Sequence, residues 1–168
     1  PEAAGGAVQM QIEAAGFQTR TEDAIVWIQN SQRTTRAQNL ERTRVDGGEL
    51  TVRFALRPAS SDFRLEQVAT ATLQDPRDAG PSATYRGRSL PYIPRRKGSI
   101  ETRADFRSVR LVHRLDHESG FYRDRYNSAG KRRGARTLQD IEVGYAIARG
   151  RIALTGVLQN ATNQRADD

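Results

Sequence analysis

The chain has 168 residues, with 27 Lys and Arg against 20 Asp and Glu for a formal net charge of +7, and no cysteine. The absent cysteine excludes a disulfide framework, a zinc–cysteine site and a thiol nucleophile. No run approaches eighteen apolar residues, which excludes a transmembrane helix, although strands of about 9–11 alternating residues can still cross a bilayer.

Residues 7–19 alternate, with Val8, Met10, Ile12 and Ala14 on one parity and Gln9, Gln11 and Glu13 on the other, the period of a strand with two unlike faces. The polar residues 20–23 predict a short turn. Residues 24–30, apolar on both parities through Ile25, Val26, Trp27 and Ile28, predict a second strand. A polar loop over 31–38 leads into a long strand at 39–57. Gly47 and Gly48 inside it signal a bulge or a close backbone approach, and beyond them Leu50, Val52, Phe54 and Leu56 alternate with Thr51, Arg53 and Ala55.

Residues 58–62 form a turn opened by Pro58. In the strand that follows at 63–74, Gln67 interrupts the apolar parity of Phe63, Leu65, Ala69, Ala71 and Leu73. Residues 75–98 hold Pro76, Pro81, Pro91 and Pro94 and read as a long loop, a kind that is commonly functional. Strands at 99–107 and 109–119 meet at a tight turn at Ser108, and a second long basic loop covers 121–136. A terminal hairpin, 138–147 and 152–160, turns over 148–151; Ile141, Val143, Tyr145 and Ile147 share one parity, as do Ile152, Leu154 and Leu158. The predicted fold class is all-β, an antiparallel meander of about eight strands of ordinary length.

Two features favour a transmembrane barrel. Mean hydropathy is -0.73 with 36% hydrophobic residues, low for a chain so rich in alternation. A sandwich must supply a dry core between two sheets, whereas a wide barrel has a wet, polar lumen and only its outer face is apolar. The connections also alternate between short (20–23, 58–62, 108, 148–151) and long (31–38, 75–98, 121–136), and short turns on one rim with long loops on the other is the pattern of outer-membrane barrels. The meander is therefore read as part of a transmembrane β-barrel, with a soluble all-β binding domain and a basic nucleic-acid-binding β domain as the alternatives.

His113 and His117 could share a metal ion on a helix. On a strand, four residues at about 3.3 Å each place them roughly 13 Å apart, too far for ligation at about 2 Å per bond. No Ser–His–Asp spacing and no glycine-rich phosphate loop is present, so neither an enzyme nor a cofactor is expected. Excess arginine first suggests nucleic acid. Yet Arg53, Arg57, Arg64, Arg103, Arg107, Arg110 and Arg114 are dispersed along strands without the interleaved aromatics that stack bases, and no nucleic-acid partner is expected. Trp27, Tyr92, Phe121, Tyr122, Tyr126 and Tyr145 fall near strand ends or loops, as membrane-interface aromatics do. The long loops concentrate arginine, whose summed field draws anions and whose forks bind oxyanions. The same loops also suit contact with anionic lipopolysaccharide.

Several segments in succession resemble the TonB-dependent outer-membrane receptors. The ending Asn160–Arg165, NATNQR, is similar to the family's N-L-T-D-x-R, with Ala161 and Asn163 in place of Leu and Asp. Phe17, Asp23 and Ile25 through Ile28 resemble its F-x-x-x-x-x-D-x-I, and NLERTRVDGGEL at 39–50 its N-x-x-x-A-x-x-x-G-x-E-L. TLQDPRD at 72–78 with YRGRSLP at 85–91 and Pro94 resembles T-x-x-D-A-R-D … Y-R-G-x-x-L-P-x-x-P, and SGFYRD at 119–124 with Asn127 resembles S-G-x-Y-x-D-x-x-N. The resemblance implies that residues 1–168 are a C-terminal portion of the receptor barrel, in the bacterial outer membrane, without the plug domain or the closing strand. It implies TonB-dependent uptake of a scarce ligand, a ferric siderophore being the class most often taken by this family. The implied partners are outer-membrane lipid and lipopolysaccharide, the ligand, and the TonB complex through the absent N-terminal part. The candidate ligand-binding residues are Arg86, Arg88, Tyr92, Arg95, Tyr122, Arg123, Arg125 and Tyr126.

Overall fold

A computed structural model describes residues 6–29, 34–59, 61–147 and 152–164. Among the described residues nine strands follow in order: β1 (Ala7–Gln29), β2 (Thr35–Arg57), β3 (Phe63–Asp78), β4 (Arg96–Phe106), β5 (Val109–Glu118), β6 (Phe121–Tyr122), β7 (Arg132–Arg133), β8 (Arg136–Ile147) and β9 (Ile152–Leu158). Seven of them form one sheet in the order β1-β2-β3-β4-β5-β8-β9, while β6 and β7 make a separate two-stranded ribbon. Every pairing in the large sheet is antiparallel between neighbours in that order. The expected all-β antiparallel meander is therefore the observed one. The sheet is not closed, since β1 and β9 each have a neighbour on one side only.

Register makes the two faces unlike. One ladder row joins Phe54, Gln67, Thr102, His113, Ile141 and Leu158 across six strands. The rows on either side carry Leu56, Leu65, Ala104, Leu111 and Val143 below, and Val52, Ala69, Ile100, Leu115 and Gln139 above. This face is largely apolar and largely uncovered: Val143 is 47%, Leu154 59% and Leu158 56% exposed. Only four hydrophobic residues, Ile28, Leu40, Leu90 and Val112, are buried among those described. A soluble sandwich would hide these rows in a dry interior, and the described residues form none; in a barrel an apolar face of this kind is the outer one. Within the row of Gln67, Thr102 and His113, Gln67 donates to the Thr102 hydroxyl at 3.0 Å, which offsets part of the cost of placing polar groups in an apolar band.

The opposite face carries a lattice of ion pairs. Arg53 meets Glu13 at 3.1 Å, Arg57 meets Glu66 at 3.0 Å, Arg110 meets Asp105 at 2.6 Å and Arg114 meets Glu101 at 3.1 Å. Arg136 closes on Glu118 at 3.3 Å. Four of the seven arginines scattered along the strands in sequence, Arg53, Arg57, Arg110 and Arg114, thus find carboxylates on the next strand, and Arg103 meets Glu101 on its own strand at 3.7 Å.

The turn expected at 20–23 is not a reversal. β1 runs through it as a single strand of 23 residues, paired with β2 at constant register from Ala7↔Arg57 to Gln29↔Thr35. What the polar run marks is a kink: Asp23 has φ 52, a left-handed conformation that aspartate tolerates better than most residues. The 31–38 loop is shorter than expected, β2 starting at Thr35; residues 30–33 lie outside the described set. At the other long loops, β3 extends to Asp78, β4 begins at Arg96 and β8 begins at Arg136. The turn at 148–151 and Arg165 also lie outside the described residues. The segment holding His113 and His117 is strand β5, so the helical condition for a shared metal ion is not met; His117 Nδ1 instead lies 2.8 Å from the Thr137 hydroxyl.

Gly47 does mark a close approach. A methyl group there would meet the Phe17 ring (Cζ) at 2.5 Å and the Leu73 carbonyl oxygen at 2.7 Å. The Phe17 ring therefore lies over bare backbone, covering a glycine that would otherwise weaken the strand. Gly47→Ala is expected to lower stability by about 1–3 kcal/mol through overpacking, seen as a lower urea midpoint for refolding into lipid vesicles. The terminal Asn160 has φ 50 and organises the return of the chain after β9. Its N–H donates to Asp140 at 2.8 Å, and its side-chain oxygen accepts the Gln164 N–H at 3.0 Å.

Candidate functional site

The sheet's even height is broken at one rim. β1 and β2 are 23 residues long, whereas β5 has 10, close to the length that crosses a bilayer. Residues 79–95 and 119–135 leave from the shorter strands at this rim and pack against the tall part of β2 and β3. The Ala79 N–H donates to the Arg42 carbonyl at 3.0 Å, Leu90 to Pro76 at 3.1 Å and Gln74 to Arg95 at 2.9 Å.

A buried ion pair pins the second loop to the sheet. Arg125 Nε donates to Asp78 Oδ2 at 2.7 Å, with the two side chains 12% and 1% exposed. Its guanidinium also lies 4.1 Å from the Tyr85 ring centroid, over the face where a cation is attracted, and donates to the Asn39 carbonyl at 3.3 Å. Tyr85 in turn donates its hydroxyl proton to Tyr126 at 2.9 Å, which holds the Tyr85 phenol above its ordinary pKa. Arg88 donates to the carbonyls of Thr84 and Tyr126. The two loops are then stitched edge to edge by Asn127, whose side chain copies a peptide: its oxygen accepts the Ser89 N–H at 2.8 Å and its amide donates to the Ser89 carbonyl at 2.9 Å. Asn127 has φ 55, a conformation open to asparagine at little cost. Asn127→Ala is expected to cost about 1–3 kcal/mol by leaving the half-buried Ser89 groups unpaired, read as faster amide exchange at residues 88–90.

Between the stitched loops lies a cleft of about 310 Å³, lined by Arg77, Arg95, Arg132, Tyr122, Asn127 and Ser89 among others. Arg95 reaches the Ser89 hydroxyl at 3.1 Å and Asp75 at 3.1 Å, and Arg77 also holds Asp75 at 2.9 Å. One carboxylate thus serves two guanidiniums, and the cleft keeps an excess of positive charge. Below it, on the ion-paired face, a polar hollow of about 350 Å³ is lined by Thr70, Lys97, Asp116, Glu118 and Arg136, with His117 at its edge.

Of the eight candidate ligand residues, Arg95 and Tyr122 are brought together in the cleft. Arg125, Arg88 and Tyr126 are engaged in holding the loops, and Tyr92, at φ 62, has its N–H on the Tyr122 carbonyl at 2.8 Å and its ring 6.2 Å from that of Phe121. Arg86 lies apart, beside Glu22, Glu41 and Arg42, and Arg123 is half-buried. Sequence reasoning missed Arg77 and Arg132 as cleft residues. Both belong to arginine-rich runs whose pairing across loops no local pattern reveals.

The profile of a family described as "TonB dependent receptor-like, beta-barrel" matches residues 5–161. The chain belongs to this family. The β-barrels of TonB-dependent receptors are outer-membrane proteins, and the family is one of receptors and transporters rather than enzymes, with TonB and a ligand as partners. Among solved structures, the siderophore receptor PiuA from Acinetobacter baumannii superposes with a TM-score of 0.68 at 18% identity, over 93% of this chain. The receptor segment spans 22% of the PiuA chain. No curated protein matches.

Proposed function

We propose that residues 1–168 form a C-terminal portion of a TonB-dependent receptor barrel in the bacterial outer membrane, and that the whole receptor takes up an anionic ligand, a ferric siderophore being the class that fits best. The plug domain, the segment that contacts TonB and the closing strand belong to other parts of such a receptor. One observation carries the ligand class: a cleft between the rim loops in which Arg77, Arg95 and Arg132 outnumber Asp75. Arginine forks match carboxylate and other oxyanion chelators in a bidentate fashion, and a concave positive rim concentrates anions from solution. The outward apolar face and the two open sheet edges support a wall that neighbouring strands complete.

The test is iron uptake and ferric-siderophore binding by cells carrying the complete receptor, with and without TonB. Replacing Arg95 and Arg132 by Gln is expected to weaken binding of an anionic ferric siderophore by about tenfold or more, at roughly 1–2 kcal/mol for each charge-assisted hydrogen bond removed. Unchanged binding in that variant, or uptake indifferent to TonB, would overturn the reading.

A further inference from the structure

The outer face is not apolar everywhere. On β1 and β2 its columns are, with Val8, Met10, Ile12 and Ala14 beside Leu56, Phe54, Val52 and Leu50. On β3, β4 and β5 one level departs from this, where Gln67, Thr102 and His113 stand side by side. Two rows below them Phe63, Phe106, Val109 and Tyr145 share a row. Three rows above them Arg96, opposite Leu73, is the first formally charged side chain that these three columns carry. Five rows of two residues each, about 34 Å along strands tilted by about 40°, rise about 25 Å, the height of a barrel's apolar band. The polar level therefore lies within the hydrocarbon, beyond the reach of water.

Lipid tails form no hydrogen bonds, so polar groups at that depth are costly unless protein satisfies them. One bond is present, from the Gln67 amide to the Thr102 hydroxyl at 3.0 Å. It leaves the Gln67 side-chain oxygen, the Thr102 hydroxyl proton and both His113 ring nitrogens without a hydrogen-bond partner among the described residues. Directly above this level Ala69, Ala71 and Gly98 floor a furrow of about 230 Å³, with Leu115 on its bank. Ala104 follows below Thr102 on β4. Small residues beside Gln, Thr and His are the combination by which spanning segments pack against each other in lipid, the former allowing close approach and the latter bonding across it.

We propose that this face of β3, β4 and β5 is the interface of a receptor homodimer, with a two-fold axis along the membrane normal at Thr102. The inference rests on the reading that the apolar face meets lipid. Two copies inserted in the same direction are related by an axis normal to the membrane, which sets each residue against surface at its own depth. A polar level then meets a polar level. An unrelated barrel does not offer that, because its outer wall at this depth is apolar. About an axis at β4, the β5 column of each copy faces the β3 column of the other. Gln67 has one amide donor and one acceptor left, and a neutral His113 has one of each, so the two side chains complement each other twice in the dimer. On the same geometry Leu115 of each copy meets the furrow over Ala69 and Ala71 of the other.

The complete receptor, carrying one dye per chain, is reconstituted at falling protein-to-lipid ratios and scored for dimers by stepwise photobleaching. Dimers are expected, and oxidation is expected to cross-link them through Thr102→Cys but not through Ile12→Cys, on the apolar column of β1. His113→Leu is expected to weaken dimerisation about tenfold, since it removes a contact made twice and each such bond in lipid is worth about threefold. Ala69→Phe is expected to weaken it by filling the furrow. A heat-modifiable gel shift reads the folded barrel separately, and in His113→Leu it is expected at or above the parent's temperature, because a more apolar side chain then faces lipid. A parent receptor that is monomeric at every ratio, dimers undiminished in both folded variants, or cross-linking through Ile12→Cys as ready as through Thr102→Cys would overturn the interface and leave the barrel reading intact. A receptor that never inserts into the bilayer would overturn both.

Discussion

Ile100→Arg will cost about 2–4 kcal/mol of membrane-folded stability, the depth-dependent penalty for a cation on the lipid face of a barrel, whereas Thr70→Arg on the neighbouring strand will cost far less. Ile100 lies in the apolar row with Val52, Ala69 and Leu115. Thr70 pairs with Ser99 on the ion-paired face, where their hydroxyls share a hydrogen bond at 2.7 Å. The two substitutions sit about one strand spacing apart, so a difference between them reports the direction of the face and not the location in the chain. Urea titration of the complete receptor refolded into vesicles measures it. Equal losses at the two positions would mean that the faces have been assigned to the wrong solvents.

The Arg125–Asp78 pair carries the second large effect. Arg125→Met will loosen the two rim loops by about 3–5 kcal/mol, because it strands an almost fully buried carboxylate without its cation. Asp78→Asn added to Arg125→Met will recover much of that loss, since the charge that needed a partner is gone. Hydrogen exchange across residues 79–95 and 119–135 reads the loosening directly, and a double-mutant cycle isolates the coupling. Loss of ligand binding in the single variant, regained in the double one, would tie cleft geometry to this pin.

The faces of the sheet were legible because alternation survives wherever a strand crosses between lipid and water: Leu50, Val52, Phe54 and Leu56 read outward in the sequence and lie on one face in the structure. The kinked upper half of β1 was not legible. Arg20, Thr21, Glu22 and Asp23 have the composition of a turn, yet a strand that stands clear of the bilayer has no reason to keep an apolar parity, and here their partners Arg44, Thr43 and Arg42 are just as polar. Polarity ceases to mark reversal once both strands have left the membrane. The loops were harder still. Arg88 and Arg125 stand in basic runs and read as ligand-binding groups, but their guanidiniums are spent on Tyr126 and Asp78, 38 and 47 residues away. Nothing in local spacing encodes a pairing of that range. Asn127 and Asp124 were visible only as letters of a motif; the structure gives them their physics, with Asn127 bridging the loops and the buried Asp124 accepting both the N–H and the hydroxyl of Ser128 at 3.0 and 2.6 Å.

The checkerboard of opposite charges along the inner wall has an electrostatic consequence. Neighbours separated by 2.6 to 3.3 Å cancel at any distance beyond the screening length of about 8 Å in physiological salt. The paired stretches of this wall therefore add little to the far field, and most of it comes from the rim, where guanidiniums outnumber carboxylates.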